Sequence, residues 1–510
     1  MLLLHAAVRA HCKAILFKSE NDTMFDRTSY ELELEKVKAR QVEEIPKYLA
    51  KYMEINTESR KQPIDTAFDE TAREKILNMS ISNEGRDFTE VADEMIENIF
   101  SKSTLLQHPR FFSFVASGVS PYSVFGTILT DIYNIHGGGY ALAQGACMIE
   151  EKIIRWMAGR AGFPQNTCGG LFVSGGSMAN LSALTCARND KLRDTEYSVG
   201  VAYVSDQSHS SIAKGLKIIG FRNDQIVKIP TDDEYKMKTD LLEERIKQDL
   251  AANRKPFVVI GSLGTTNTGS IDPLREIGRI CKQYDLWFHI DGAFGGSILF
   301  SDIYRSYAAG VELADSLSWD LHKWALQVYG CSTFIVRDKK KLLNSFTEHP
   351  EYLEDIMTKE NTDPWNMGIE MTRPHRSLRF WMTLQSMGTD LLADVIDYSF
   401  YNASVARKEL LSLENWELTS PMMCATLTFR YAPPGMAKEE IDKLNLAISE
   451  RIIQSGYAFI VTTKVKEKTV LRLCIINGNT TTEDVVNTIR KLDEIAKLVQ
   501  KDIAGAVELS

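Results

Sequence analysis

Five short apolar runs, separated by helix-forming segments, constrain the fold of this 510-residue chain most strongly. They read GGLFVSGG, VGVAYVSD, FVVIGSLGTT, LWFHIDGA and CSTFIVRD. Continuous runs of this length are typical of strands buried on both faces, and their alternation with amphipathic helices is typical of βα units around a mainly parallel sheet. The pattern therefore predicts an α/β fold.

The pattern of apolar and polar residues differs on both sides of this region. Before it the chain is charged and helical, and after it the predicted strand ATLTFRY is followed by two amphipathic helices with further strands between them. A chain of 510 residues is also too long for one core. We expect an N-terminal extension and helical segment at 1–105, a large domain at 106–397 and a small C-terminal α+β domain at 398–510.

Composition excludes several classes of protein. The net charge of -9 argues against a general nucleic-acid binder. The eight cysteines form no CxxC pair, which argues against a zinc site and a disulfide framework and favours the cytoplasm. The sequence contains no run of about 18 apolar residues, so no membrane span is expected. We expect residues 1–23 to be an extension, or an upstream start ahead of Met24, rather than a targeting signal.

Polar residues cluster where the predicted strands end. They occupy 174–177, 206–211, 265–268 and Asp291. In open α/β sheets ligands bind at the carboxyl ends of the strands. This clustering predicts a binding site at that edge of the sheet.

Two of these strand ends carry distinct chemistry. Gly175, Gly176 and Ser177 follow a strand and open a helix, so they could hold a phosphate, although they match neither GxGxxG nor GxxxxGK[ST] and a plain βα turn is the alternative. Asp291 ends an apolar strand, and a buried carboxylate needs a cation or hydrogen-bond donors. A helix cap or a metal ligand is the alternative for Asp291, but no neighbouring His/Cys/Glu cluster supports a metal.

A lysine stands in an apolar setting in SWDLHKWALQVYG. Burial of Lys323 is expected to lower its pKa and to favour a reactive amine. Pyridoxal phosphate (PLP) needs a phosphate site, an acid that keeps its ring nitrogen protonated and a lysine for the Schiff base. Together with Asp291 and the glycine turn, Lys323 therefore predicts a PLP site.

Seven motifs occur in one order along the chain: HPRFFSF, NIHGGG, SGGSMANL, SDQSHSS, GTTNTGSIDP, FHIDGAFGG and DLHKW. Because of these motifs and their order, the chain from about Thr28 to the C-terminus resembles group II PLP-dependent amino acid decarboxylases of the aromatic-L-amino-acid branch. It looks most like bacterial tryptophan decarboxylases. The resemblance implies PLP-dependent transferase fold type I, with a mainly parallel seven-stranded sheet in the large domain. It also implies a homodimer with its active site at the subunit interface, in which the N-terminal helical segment serves dimerisation.

The resemblance assigns roles to individual residues. Lys323 corresponds to the Schiff-base lysine, Asp291 to the partner of the ring nitrogen, and His209 to the histidine that stacks on the ring. The other cofactor contacts that it implies are Gly176, Ser177, Thr266 (with Thr265 as the alternative), Ala293 and His322. The substrate contacts that it implies are Phe114, His136 and Trp365.

The reaction that the resemblance implies is decarboxylation of an aromatic L-amino acid, with tryptophan or phenylalanine favoured, to the amine and CO2. A non-catalytic binding protein is the less favoured reading, because Lys323, Asp291 and His209 are all present. A decarboxylase of a non-aromatic amino acid is a further alternative.

A charged segment at 348–373 corresponds to the mobile lid of the family. Animal and plant relatives carry a catalytic tyrosine there, but this chain has none between Pro364 and Arg373, and Tyr352 lies too early to be equivalent. Trp365 is expected to cover the substrate instead. The proton donor is therefore open, with His209 as a candidate, and an aldehyde synthase that couples decarboxylation to oxidative deamination is the alternative enzyme.

Overall fold

The computed structural model describes residues 43–66, 68–81, 83–348 and 362–508, together with 29, 31–33, 35, 36 and 38. The expectations for residues 1–23 and for Tyr352 lie outside the described residues.

The described chain divides into two compact units. The first takes the residues up to Glu58 and those from 83 to Glu94, and the second takes Ser59–Ile81 and the chain from Met95 onwards. The second unit contains both boundaries expected at residues 105 and 397, which stay predictions.

In the N-terminal region, the described residues from 43 onwards form the helices α1 (Ile45–Thr57), α2 (Glu70–Leu77) and α3 (Phe88–Met95). Helix α2 belongs to the second unit. Within the first unit, Tyr48 packs edge-on against Phe88 at 5.7 Å between ring centroids and donates a hydrogen bond to the Thr89 carbonyl. The helical character expected for this region is confirmed, but the structure divides it into separate short helices.

A seven-stranded sheet forms the centre of the second unit, in the order β1-β7-β6-β5-β4-β2-β3. Its strands are β1 (Gly169–Val173), β2 (Gly200–Ser205), β3 (Ile226–Ile229), β4 (Lys255–Ser262), β5 (Trp287–Asp291), β6 (Ser316–Asp320) and β7 (Ser332–Val336). The pairs are parallel except that β7 runs antiparallel to β1 and β6. The five apolar runs form β1, β2, β4, β5 and β7, whereas β3 and β6 were not predicted.

Successive residues of the strands pack into different cores on the two faces of this sheet. In β2, Val201 and Tyr203 belong to one apolar cluster, and Ala202 and Val204 belong to another. Side chains of a strand alternate between faces, so both faces of the sheet are covered. This explains why the strands are continuous apolar runs.

Helices cover the sheet and link its strands. They are α4 (Pro121–Tyr133), α5 (Gln144–Arg160), α6 (Gly176–Lys191), α7 (Ser210–Ile218), α8 (Thr239–Ala251), α9 (Leu274–Gln283), α10 (Leu321–Trp324), α11 (Lys339–Phe346), α12 (Ser377–Met387) and α13 (Thr389–Leu411). Within the described residues, no helix combines the length and the apolar composition that crossing a membrane requires.

The C-terminal part forms a four-stranded antiparallel sheet in the order β10-β11-β9-β8. Its elements are β8 (Trp416–Leu418), β9 (Thr426–Tyr431), α14 (Lys438–Gln454), β10 (Thr462–Val465), β11 (Lys468–Cys474) and α15 (Thr482–Glu508). The predicted apolar face of α15 is buried through Val485, Ile489, Leu492 and Val499. The α+β character is confirmed, although the run YAFIVTT becomes strand only from Thr462 onwards.

Candidate active site

A cavity of about 400 Å³ lies at the carboxyl ends of β1, β2, β4, β5 and β6. Its lining contains every residue for which a catalytic or cofactor-binding role was expected: Gly176, Ser177, His209, Thr266, Asp291, Ala293, His322 and Lys323. Residues from distant parts of the sequence therefore meet in one cavity at the predicted edge of the sheet.

The N-terminus of α6 forms one wall of the cavity. The helix begins at Gly176, directly after β1 and a two-residue turn. The first N–H groups of a helix have no partner inside it, and they attract anions. A Cβ atom on Gly176 would lie 2.7 Å from Oδ2 of Asp320, so only glycine fits here. This turn is a cradle for an anionic group.

Asp291 is buried at the end of β5 and accepts three hydrogen bonds. The donors are the Ala293 N–H at 3.1 Å, the Asn180 side-chain amide at 3.3 Å and the Ser318 hydroxyl at 3.3 Å. Asn180 is oriented in turn by His289, whose Nε2 lies 3.0 Å from its Oδ1. These donors fix the orientation of the buried Asp291 carboxylate at the edge of the cavity, where it can pair with a cationic ring nitrogen.

His289 is fully buried beneath this carboxylate. Burial lowers the pKa of His289 to about 4, although the charge of Asp291 acts in the opposite direction. A neutral imidazole that donates from Nε2 to Asn180 accepts at Nδ1, which lies 2.8 Å from the Ser316 hydroxyl. The hydrogen bonds thus run in one direction, from Ser316 through His289 and Asn180 to Asp291.

Lys323 lies on the short helix α10, with Nζ 2.9 Å from Oδ2 of Asp320. Burial acts to lower the pKa of Lys323, but the charge and hydrogen bond of Asp320 and the charge of Asp291 outweigh burial and raise it. The expectation of a lowered lysine pKa is therefore wrong for the chain by itself. An anion at 2.9 Å stabilises the ammonium form more than burial destabilises it.

Each of the two histidines of the cavity is held by hydrogen bonding at its Nδ1. His209 caps the N-terminus of α7, where its Nδ1 accepts from the Ser211 N–H at 3.2 Å and lies 2.8 Å from the Ser211 hydroxyl. His322 has Nδ1 3.1 Å from the Cys331 carbonyl oxygen, and burial lowers the pKa of His322. A neutral His322 therefore donates from Nδ1 to Cys331 and keeps Nε2 towards the cavity.

Thr265 and Thr266 both line the cavity, but they differ in exposure. The Thr265 hydroxyl is buried and lies 3.0 Å from that of Thr268 and 2.9 Å from that of Ser270. Thr266 is exposed. This arrangement favours Thr266 over Thr265 as the threonine that faces a ligand.

Three residues expected to contact substrate do not line this cavity. Phe114 is 59% exposed, with a positive φ of 53°. His136 and Trp365 lie 6.3 Å apart between ring centroids, and Trp365 is buried against Gly138 and Gly139. Within one chain, the structure therefore does not bring Phe114, His136 or Trp365 to the predicted cofactor residues.

Sequence reasoning missed several residues of this site. Asp320 lies in the quoted motif DLHKW, three residues before Lys323, where one turn of helix brings two side chains together. That spacing was a usable signal. Asn180 and Tyr329 also line the cavity, and His289 contacts Asn180, but nothing in their spacing indicates this because they lie on different elements.

Comparisons with known proteins agree with this geometry. Residues 71–432 match the pyridoxal-dependent decarboxylase conserved domain. The chain is 34% identical to an aromatic-L-amino-acid decarboxylase of Bacillus atrophaeus, over 86% of this chain and 92% of the relative. It is 28% identical to a 4-hydroxyphenylacetaldehyde synthase of Rhodiola rosea, over 83% of this chain and 86% of that protein.

The crystal structure of Oryza sativa TDC with PLP and tryptamine superposes with a TM-score of 0.85, at 24% identity. The match covers 89% of this chain and 98% of that one. This likeness concerns the fold, which is the PLP-dependent transferase fold type I, as expected.

The residues of the cavity fit PLP. The volume lies in the range of small-molecule sites, which is about 300–1,000 Å³. The cradle at Gly176 suits the phosphate, the hydrogen-bonded Asp291 suits the ring nitrogen, and Lys323 lines the same cavity. Among the described residues, no cluster of His, Cys, Asp and Glu could hold a metal ion.

Proposed function

Because the chain belongs to the pyridoxal-dependent decarboxylase family, and is thus a PLP-dependent carboxy-lyase, we propose that it decarboxylates an aromatic L-amino acid. Tryptophan and phenylalanine are the favoured substrates, and the products are the corresponding amine and CO2. The observation that carries the proposal is the convergence of Lys323, Asp291 and the N-terminus of α6 on one cavity.

PLP supplies an electron sink for the bond that breaks. Lys323 provides the amine that anchors the cofactor. Asp291, oriented by its three donors, would pair with the protonated ring nitrogen. Gly176 and Ser177 would hold the phosphate with the free N–H groups of α6.

The remaining lining residues position the cofactor and exclude water. His209 would stack on one face of the ring and Ala293 would pack against the other. Thr266 would contact the ring edge, and His322 would orient the site from its hydrogen bond to Cys331. His209 is also the group that we assign to return a proton to the substrate carbon, because its Nδ1 is engaged by Ser211 and its Nε2 remains for the cavity.

An aromatic rather than an acidic substrate is supported by the environment of Arg110. Arg110 lies in the motif HPRFFSF, which also contains Phe114, one of the residues expected to contact substrate. Its Nε donates to the Tyr457 carbonyl at 2.7 Å, and its guanidinium lies 4.3 Å from the centre of the Tyr457 ring. Arg110 is therefore engaged by Tyr457 and is not placed to bind an acidic side chain. The similarity to the Bacillus atrophaeus enzyme points the same way.

The direct test is product analysis. Purified protein loaded with PLP is incubated separately with tryptophan, phenylalanine, tyrosine, glutamate and histidine, and amine, aldehyde, ammonia and peroxide are quantified. We expect tryptamine or phenethylamine without peroxide. Amine from glutamate or histidine alone would contradict the aromatic assignment, and covalent attachment of PLP to Lys323→Ala would contradict the anchoring role of Lys323.

An aldehyde synthase is the second candidate, because no tyrosine lies between Pro364 and Arg373 and because of the similarity to the Rhodiola rosea enzyme. That reaction consumes the amino acid, O2 and water and yields the aldehyde, CO2, ammonia and hydrogen peroxide. Stoichiometric aldehyde and peroxide in the same assay would favour it over the amine-forming reaction.

We further propose a homodimer in which Phe114, His136 and Trp365 serve the partner subunit's active site. The supporting observations are that these residues do not line the cavity of their own chain and that α4 exposes apolar side chains. The exposed side chains of α4 are Tyr122, Phe125, Ile132 and Tyr133.

Subunit mixing tests this arrangement. Lys323→Ala and Phe114→Ala proteins are each assayed alone and after they have been dissociated and reassociated together. If the sites are shared between subunits, a mixed dimer has one site with both original residues, and activity returns. If each site belongs to one chain, mixing restores nothing. An active monomer by sedimentation would also contradict the proposal.

We also place the protein in a reducing compartment such as the cytoplasm. The described cysteines are free and buried: Cys147, Cys168, Cys186, Cys281, Cys331, Cys424 and Cys474. Unpaired thiols are typical of proteins in such compartments. Cell fractionation tests this placement.

A further inference from the structure

Asp320 has no role among those proposed above, although it lines the cofactor cavity. It is the last residue of β6 and is 2% exposed. One carboxylate oxygen, Oδ2, forms the ion pair with Nζ of Lys323 at 2.9 Å. The other oxygen, Oδ1, is buried and has no hydrogen-bond partner. A buried polar atom without a partner calls for an explanation, since burial removes it from water and nothing replaces the lost hydrogen bond.

The same carboxylate lies against the N-terminus of α6. A Cβ atom on Gly176 would approach Oδ2 and Oδ1 of Asp320 to 2.7 and 2.9 Å. The phosphate is proposed to bind at Gly176 and Ser177, so an anionic ligand and the Asp320 carboxylate occupy neighbouring positions.

Two difficulties follow for cofactor attachment. An ammonium has no lone pair, so Lys323 cannot attack an aldehyde while it is paired with Asp320 as an ion. A phosphate dianion beside an ionised carboxylate is also repelled, and the repulsion is strong in a buried site. Transfer of one proton from Nζ of Lys323 to Asp320 removes both difficulties.

We propose that Asp320 couples occupancy of the phosphate cradle to release of the Lys323 amine. Without a phosphate, Asp320 holds Lys323 as an ammonium ion. A phosphate at the N-terminus of α6 draws the ammonium proton onto Asp320, whose O–H then donates a hydrogen bond to the phosphate. The neutral amine forms a carbon–nitrogen double bond with the aldehyde carbon, and the aldehyde oxygen leaves as water with the two remaining amine hydrogens.

Few other titratable groups face Asp320. His322 lies beyond hydrogen-bond distance, with Nε2 3.8 Å from Oδ2, and burial keeps it neutral by lowering its pKa. Cys331 on the neighbouring strand β7 is neutral, since burial raises its pKa to about 12. Asp291 acts on Lys323 through charge alone, without a hydrogen bond. Lys323 is therefore the proton source for Asp320.

The coupling makes the chain selective for phosphorylated aldehydes. Pyridoxal, which lacks the phosphate, leaves the ion pair intact and meets an ammonium ion. PLP opens the pair and meets an amine. This inference rests on the proposed attachment of PLP to Lys323, and its test distinguishes the two.

The test measures capture of each aldehyde by the full-length protein after removal of its cofactor. Wild type and Asp320→Asn are incubated with pyridoxal or PLP at pH 7, reduced with borohydride, and analysed by peptide mass spectrometry for modified Lys323. We expect Asp320→Asn to capture pyridoxal at least about tenfold faster, because loss of the anion that contacts Nζ removes the main cause that raises the pKa of Lys323 and leaves burial to lower it. Capture of PLP should change less, so that the preference for PLP shrinks.

Asp291→Asn is the matched control, because it removes another carboxylate from the same cavity and leaves the ion pair in place. It should accelerate pyridoxal capture less than Asp320→Asn does. If Asp320→Asn does not fold, Asp320→Ser tests the same contact. An unchanged pyridoxal rate in the folded Asp320 variant, or an equal gain in Asp291→Asn, overturns the coupling alone. Modification by PLP at a lysine other than Lys323 overturns the proposed function as well.

Discussion

Two ion pairs of the second unit, each with a buried carboxylate, are built in opposite ways. Glu150 accepts from both terminal nitrogens of Arg373, at 2.9 and 2.6 Å, and from the Phe172 N–H at 2.8 Å. Arg373 also donates to the carbonyls of Gly137 and Phe172. Asp320 and Lys323 share one contact of 2.9 Å, and the second oxygen of Asp320 has no partner.

The difference lies in what each cation can do. A guanidinium stays charged in a protein, so Arg373 must keep an anion beside it, whereas a lysine can lose its proton and react. The Glu150–Arg373 pair joins α5, β1 and the loop at Gly137, and it fixes structure. The Asp320–Lys323 pair lines a cavity and holds a group that chemistry will change. Burial of an ion pair therefore does not by itself identify a functional site.

The largest effect is expected at the first pair. Glu150→Gln leaves Arg373 buried without an anion, and breaking a buried pair costs about 3–5 kcal/mol of the free energy of unfolding. Urea denaturation at pH 7 measures the loss. The matched control is Glu151→Gln, one residue along α5, which removes an exposed ion pair to Arg155 at 2.7 Å. Exposed pairs contribute about 0–1 kcal/mol.

Equal losses in Glu150→Gln and Glu151→Gln would contradict the structural role of the Glu150–Arg373 pair. Because Gly137 follows His136 and accepts from Arg373, Glu150→Gln should also disturb the loop that carries His136. A comparison of tryptophan fluorescence would report this, since Trp365 packs on the next two glycines.

The residues of the cofactor cavity could be predicted from the sequence better than those of the Glu150–Arg373 pair. Lys323, Asp291 and the glycine turn could be singled out because each lies at or shortly after the end of a strand and carries chemistry that PLP needs. Glu150 and Arg373 were not found, because they lie far apart in sequence and only the fold brings them together.

The lysine pKa shows a second limit of sequence reasoning. The side chain of Lys323 is 23% exposed, so it is only partly buried, and the direction of its pKa depends on Asp320, whose orientation the sequence does not give. Strand β6 was missed for a similar reason. Its sequence SLSWD contains three polar residues, yet every residue is buried. The two serines form hydrogen bonds inside the sheet core, where Ser316 accepts from Trp287 and Ser318 donates to Asp291.

A smaller loss of stability is expected at the second pair. Asp320→Asn in the cofactor-free protein removes the anion, but Lys323 can respond by releasing its proton. We expect a decrease of about 1–2 kcal/mol in the free energy of unfolding at pH 7, less than for Glu150→Gln. The same urea denaturation measures it. A loss as large as that of Glu150→Gln would mean that Lys323 stays charged without its partner. This would contradict the proposal that Lys323, unlike Arg373, can release its proton.

The pH dependence sharpens the comparison, because the two pairs should open at opposite ends of the scale. Burial acts to raise the pKa of Glu150, but Arg373 and the other donors hold it at about 2, below its ordinary 4.5. Its contribution is thus present above about pH 4.5 and is lost as the pH falls towards 2. The pKa of Lys323 is raised above 10.5, so its contribution is present below that value and is lost as the pH rises through the higher one. Urea denaturation should show the deficit of Glu150→Gln shrinking by about 1 kcal/mol between pH 7 and pH 3.5. The deficit of Asp320→Asn should instead shrink as the pH rises above 7, because the folded variant has already released the Lys323 proton that its unfolded state still binds. If the losses in free energy of unfolding of both variants shrink over the same pH range, the two pairs differ in their contacts but not in their chemistry.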